Sequence, residues 1–130
     1  KDFQQFLIIQ KMAKELNMEV EVIGCDIVRE ESGLAMSSRN KRLSSNELKA
    51  ALVLQKALNH CQNNFGKMGL QALQTECFGI LQQETEPEYF EICDAESLFP
   101  ITEVPKAKNI RAFTAASIGE IRLIDNMELL

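Results

Sequence analysis

Residues 109–126 read NIRAFTAASIGEIRLIDN, two runs of β-branched and apolar residues on either side of Gly119 and Glu120. Runs of this composition divided by a short glycine-containing break read as strand, turn, strand. Working backwards, residues 88–94, EYFEICD, form a third short β-like run. Three strands that follow a series of helices suit a small α+β layer better than further parallel units. Asp94, Glu96, Glu120 and Asp125 fall in or beside these runs, but nothing in their spacing pairs them for acid–base work. A solvated sheet face accounts for them.

The preceding segments carry helical spacing. Ser44 to Glu47 reads SSNE, the pattern in which a serine caps the backbone and a glutamate reaches back to the cap. Leu48, Ala51, Leu52, Leu54 and Leu58 then mark a core face to about Cys61, and Asn63, Asn64 and Gly66 end the helix. Leu70, Leu73, Cys77, Ile80 and Leu81 mark another, closed before Pro87. At the front, residues 2–17 place Phe3, Phe6, Leu7, Ile8, Ile9, Met12, Ala13 and Leu16 at helical spacing, with Asn17 as the stop. Residues 18–28, MEVEVIGCDIV, alternate and then run almost wholly apolar, as a strand does on entering a covered sheet. A helix followed by such a strand is half of a parallel α/β unit, and in open α/β sheets ligands sit beyond the carboxyl ends of the strands.

The segment leaving that strand is the richest in chemistry. Gly33 to Asn40 reads GLAMSSRN: a glycine turn, two hydroxyls (Ser37, Ser38), a guanidinium (Arg39) and an amide (Asn40), followed by Lys41 and Arg42. Hydroxyls and backbone N–H groups orient anionic oxygens, and arginine offers a planar fork that matches two phosphate oxygens. The same residues also read as an exposed basic loop entering the next helix. Lys1, Asp2 and Gln5 lie at the start of the first helix, where free N–H groups and the helix dipole favour anions. That makes Lys1 and Gln5 candidate ligand contacts, with plain surface polarity as the alternative. His60, the single histidine, stands near a helix C-terminus, where a dipole interaction accounts for it without chemistry.

At 130 residues the chain fits one domain, or a small domain with the tail of another, and 45% hydrophobic with 25% charged residues suits a globular protein. The net charge of -5 argues against nucleic-acid or anionic-membrane binding, so the Arg39–Arg42 cluster is a local positive island suited to a small anion. Cys25, Cys61, Cys77 and Cys93 form no CxxC pair, which points to reduced core thiols and not to a metal or redox site. With no leader-like segment and no apolar run near the ~20 residues that cross a bilayer, a cytoplasmic location is expected. The chain opens without Met on a helix-forming segment and reads as a fragment.

Three stretches together resemble one family. KDFQQ at residues 1–5, RxxxGLAMSSRNxxLS at residues 29–44 and AASIGEIRLIDN at residues 115–126 are similar to the C-terminal half of the pantothenate synthetases, the pantoate-beta-alanine ligases. The middle, residues 47–85, matches only in helical character. The resemblance implies residues 1–42 as the last helix–strand unit of a Rossmann-like nucleotide-binding domain with its phosphate loop. Residues 43–130 would be a C-terminal lid of helices packed on a three-stranded antiparallel sheet. It implies a two-step reaction in which ATP and pantoate give pantoyl adenylate and pyrophosphate, assisted by magnesium (Mg2+), after which beta-alanine displaces AMP. By the same resemblance Lys1, Asp2, Val28, Met36, Ser37, Ser38 and Arg39 bind ATP, Gln5 binds pantoate, and Lys1, Ser37, Ser38 and Arg39 carry the catalytic work.

Departures accompany the match. The family's N-terminal domain, with its histidine-containing nucleotide motif and second pantoate-binding glutamine, has no counterpart here, and His60 lies in the wrong place to replace it. The resemblance therefore implies a missing N-terminal half as partner, a full-length homodimer joined largely through that half, and a fragment inactive by itself. Two other readings stand beside it: a phosphate-docking module, and an interaction domain without catalysis.

Overall fold

The computed structural model describes residues 1–104 and 109–130. Helix α1 spans Phe3–Glu15, a five-residue 3-10 turn spans Ser38–Arg42, α2 spans Ser45–Asn64 and α3 spans Leu70–Leu81. Strands β1 (Glu86–Asp94), β2 (Ile110–Ile118) and β3 (Ile121–Glu128) form one antiparallel sheet in the order β1-β2-β3. Ile118 pairs with Ile121 across the two-residue turn, where Gly119 takes a φ of 54° that an L side chain rarely adopts. The strand reading of residues 88–94 and 109–126 and the turn between the last two strands match this sheet. Pro87 sits at the start of edge strand β1, beside a register shift, where its missing N–H does least harm.

Side-chain alternation gives the sheet two different faces. Ile110, Ala112, Ala116 and Ile118 of β2, Ile121 and Leu123 of β3, and Phe90 and Ile92 of β1 join α2 and α3 in the core. Ala51, Val53, Leu54, Ala57, Leu58 and Cys61 are the buried residues of α2. Leu48, placed on that face by its spacing, is 37% exposed and lines an open cavity with Leu34, Lys41 and Leu52 instead. The opposite face meets the start of α1: the Phe3 and Phe113 rings lie 5.9 Å apart, and the Arg111 guanidinium stacks 4.3 Å from the Phe3 centroid.

Helix α2 begins as its sequence dictates. The Glu47 backbone N–H donates to Ser44 Oγ at 3.3 Å, and the Ser44 N–H donates to Glu47 Oε2 at 2.8 Å. Hydrogen bonding to the Ser44 side chain and backbone holds the Glu47 carboxyl below its ordinary value of 4.5. Ser44→Ala is expected to remove about 1 kcal/mol of stability. Because the folded-state pKa is lowered, the contribution of Glu47 is present above the unfolded pKa and is lost as pH falls through the folded one. Thermal unfolding across an acid series checks this: the gap between wild type and Ser44→Ala narrows on acidification.

Residues 18–28 depart from the strand expected for them. They belong to no ladder among the described residues, and Met18, Val20, Ile23 and Val28 are exposed. A strand exists only where neighbours take up its N–H and C=O groups, and no neighbouring strand is described here. The segment lies along α1 instead, where Gln10 Nε2 donates to the Val22 carbonyl at 3.4 Å. Gly24 approaches Phe6 so closely that a Cβ would stand 2.8 Å from the ring. The first helix ends as expected, with Asn17 at a φ of 49°, but only its Ala13 is buried.

Two further expectations are corrected. Cys61, Cys77 and Cys93 are buried free thiols, whereas Cys25, on the uncovered segment, is exposed. Asp94 and Asp125 are buried and not on a solvated face, while Glu96 and Glu120 are exposed. Asp94 Oδ1 accepts from the backbone N–H groups of Glu96 and Ser97 and from Ser97 Oγ, which turns the chain at the end of β1. Asp125 has a different task.

Candidate functional site

The GLAMSSRN stretch is an arch whose feet are buried. Its first foot is a tight hairpin in which Met36 N donates to the Val28 carbonyl at 2.9 Å and Glu30 N to the Leu34 carbonyl at 2.8 Å. Gly33, at a φ of 90°, closes it; a side chain there would be strained and would also collide with Gln55. Leu34 and Ala35 are buried. The second foot is Asn40, 7% exposed, whose Nδ2 donates back to the Ala35 carbonyl at 3.1 Å, followed by buried Leu43. Between the feet, Ser37 Oγ accepts from Arg39 N at 3.2 Å, while Met36, Ser38 and Arg39 are exposed. Among the described residues the Arg39 guanidinium has no carboxylate partner.

Arg29 ties the arch to β3. Its guanidinium makes a two-pronged pair with Asp125, Nη1 to Oδ2 at 2.7 Å and Nη2 to Oδ1 at 3.0 Å, and Nη1 also donates to the Gly33 carbonyl at 3.1 Å. Such a fork fixes direction as well as distance. On the other face of β3, Asn126 Nδ2 donates to the Lys1 carbonyl, and Asn126 Oδ1 accepts from Arg111 Nη1 at 2.8 Å.

These ties bring distant residues together. Lys1, Ser37, Arg39, Arg122 and Asp125 line one narrow crevice of about 10 Å³. That is close to the least volume one water needs, so a larger anion must lie across its mouth or part the arch from β3. Asp125 is committed to Arg29, and Arg122 pairs with Glu88 at 2.9 Å, so Arg39 is the lining cation left without a carboxylate partner among the described residues. Asp2 pairs with Lys1 at 3.4 Å, and the two share a neighbouring cavity of about 470 Å³ with Gly24, Cys25 and Asp26. Gln5 is exposed on α1 and lines neither space; Ser38, Val28 and Met36 also stand outside the crevice lining. Val28 and Met36 face each other across the base of the hairpin as exposed apolar residues, Val28 at 65%.

Spacing did not reveal Arg122, Asp125 or Asn126 as part of this constellation, since their partners are far away in sequence. Other chemistry has less support. Burial and the Glu91 and Asp94 carboxylates push the Cys93 thiol up to about 11, and a hydrogen bond between the Cys77 and Cys61 thiols together with burial pushes Cys77 far above the usual thiol range. Both stay protonated and are poor nucleophiles. His60 is half-buried against Glu76 at 2.9 Å, away from the arch. Among the described residues no three His, Cys, Asp or Glu side chains converge to hold a metal ion. No described helix is long and apolar enough to cross a membrane.

Comparison with known proteins gives a consistent match along the chain. The family model described as pantoate-beta-alanine ligase matches residues 1–128. The chain is 41% identical to the pantothenate synthetase of Christiangramia forsetii, over 99% of this chain and 46% of that protein. It is 43% identical to that of Sulfurihydrogenibium sp., over 98% and 47%. A crystal structure of pantothenate synthetase from Thermus thermophilus superposes with a TM-score of 0.91 at 36% identity, over 99% of this chain and 47% of that one. The Francisella tularensis pantoate-beta-alanine ligase, solved with beta-gamma ATP and beta-alanine, superposes with a TM-score of 0.67 at 28% identity, over 99% and 41%. The chain thus spans about half the length of the relatives it matches.

Proposed function

Because this chain belongs to the pantoate-beta-alanine ligase family, we propose that it forms the C-terminal part of an enzyme that joins pantoate to beta-alanine at the expense of ATP. In the first step a pantoate carboxylate oxygen attacks the α-phosphorus, the bond to the bridging oxygen breaks, and pyrophosphate leaves. In the second the beta-alanine amine attacks the acyl carbon of pantoyl adenylate and AMP departs, giving pantothenate.

The observation that carries this reading is the convergence of Lys1 with Ser37 and Arg39 on one crevice. Lys1 and Arg39 offset charge on the α-phosphate and the departing pyrophosphate, which is electrostatic and positioning catalysis without covalent attack. Ser37 and Ser38 orient phosphate oxygens as the arch closes, and closure keeps water from the acyl adenylate. Asp2, Val28 and Met36 complete the nucleotide contacts, with Val28 and Met36 as the exposed apolar pair at the hairpin base against adenine. Gln5, one turn along α1 from Lys1, hydrogen-bonds pantoate. Magnesium bound together with ATP would offset part of the phosphate charge.

In this reading residues 1–42 close a nucleotide-binding domain whose other half lies N-terminal to this chain, and residues 43–130 are the lid. The exposed apolar residues of α1 and residues 18–28 are consistent with that division. The full-length protein works as a cytoplasmic homodimer, and this chain alone is inactive. Pantoate-dependent pyrophosphate release from ATP, measured with this chain, with a separately expressed N-terminal half, and with both, checks it. Release only with both halves is expected; release by this chain alone would overturn the division of the site.

A further inference from the structure

We propose that Asp125 and Asn126 are positioning residues that align the phosphate arch with Lys1, the arch through Arg29; the inference rests on the ligase reading above. Consecutive strand residues point to opposite faces of a sheet. Asp125 and Asn126 use this geometry to hold two segments that approach β3 from opposite sides. Asp125, with its side chain 2% exposed, takes the Arg29 fork, and Arg29 in turn holds the Gly33 carbonyl inside the hairpin that carries the arch. Asn126 holds the Lys1 carbonyl. Its own backbone N–H donates to Asp125 Oδ1 at 2.8 Å, so the two anchors are braced against each other. Lys1 and Arg39, 38 positions apart in sequence (39 − 1), are thereby referred to two adjacent residues of one strand.

The choice of groups fits alignment better than stability. A buried ion pair adds little stability over an apolar pair of the same volume, but its two-pronged form admits a single orientation. A lysine at position 29 keeps the charge yet cannot hold two carboxylate oxygens and a carbonyl in one plane. An asparagine at position 125 keeps the shape and loses one acceptor. Either change lets the arch drift relative to Lys1, and small misplacements of this kind are costly to a reaction that depends on positioning.

The test uses the full-length protein, with kcat and KM for ATP measured in pantoate-dependent exchange of pyrophosphate into ATP and KM for beta-alanine measured by AMP release in the complete reaction. Arg29→Lys and Asp125→Asn are each expected to lower kcat/KM for ATP in exchange about tenfold while KM for beta-alanine holds. The double variant is expected to be no worse than the poorer single one, since the two residues act as a unit. Should Asp125→Asn fail to fold, Arg29→Lys and Asn126→Ser, read against the same pair of KM values, decide the matter. Folded variants with unchanged ATP kinetics, fully multiplicative losses, or equal losses toward ATP and beta-alanine would overturn the proposal. A wild-type protein without exchange would remove the ligase reading and this proposal together. An active wild type with unaltered variants removes this proposal alone.

Discussion

Arg39→Ala in the full-length protein is expected to lower pantoate-dependent pyrophosphate release about 100- to 1000-fold, the usual cost of deleting one preorganised group that stabilises developing charge. Arg39 is exposed at the crown of the arch, shares its crevice with Lys1, and has no carboxylate partner among the described residues. Its charge is therefore available to a ligand. For the same reason the substitution removes no internal contact that stability depends on, and the melting temperature is expected to hold, as for most exposed positions. Arg39→Lys should recover part of the loss, because the charge remains while the planar fork does not. Steady-state kinetics with a thermal melt of each variant makes the comparison. Activity within about twofold of wild type would take Arg39 out of the mechanism, since one group of this kind is worth far more.

Leu58→Ala is expected to destabilise the chain by about 3 kcal/mol, lowering the melting temperature by about 10 °C. Leu58 is fully buried in α2, in the cluster that joins both long helices to the sheet, and truncation leaves a cavity that this surrounding structure cannot collapse to fill. Leu48→Ala provides the contrast. It lies on the same helix, but its 37% exposure limits the expected loss to under about 1 kcal/mol. Urea unfolding of both variants, compared at constant m-value, measures the difference. Equal losses would show that the core does not run along α2 as described.

Much of the architecture was legible because its signals are local. The Ser44–Glu47 capping box, the left-handed stop at Asn17, the glycines at 66 and 119, and the alternation of β2 and β3 depend on a residue and its near neighbours, so a short window contains the whole cause. The family was legible for the same reason, in three motifs. Residues 18–28 mark where such reading stops. Their alternation records a segment suited to a covered sheet, but whether it becomes a strand depends on neighbours that bond to its backbone, and none is described in this chain. Leu48 and Cys25 were misplaced for a related reason: apolar character gives a residue's preference for burial, and packing decides whether a covering surface is there.

The candidate site divides in the same way. The proposal of Ser37, Ser38 and Arg39 as phosphate-binding groups draws on residue type and on the glycine turn before them. Their meeting with Lys1 does not, nor does the task of Asp125, which in sequence is one more carboxylate near a chain end. The sequence by itself determined the helices and the three strands, since propensity and capping act over a few residues. Only the tertiary structure decided that Arg29 meets Asp125 across 96 positions and that Asn126 reaches back to Lys1, because a hydrogen bond between distant segments depends on where the folded chain carries them.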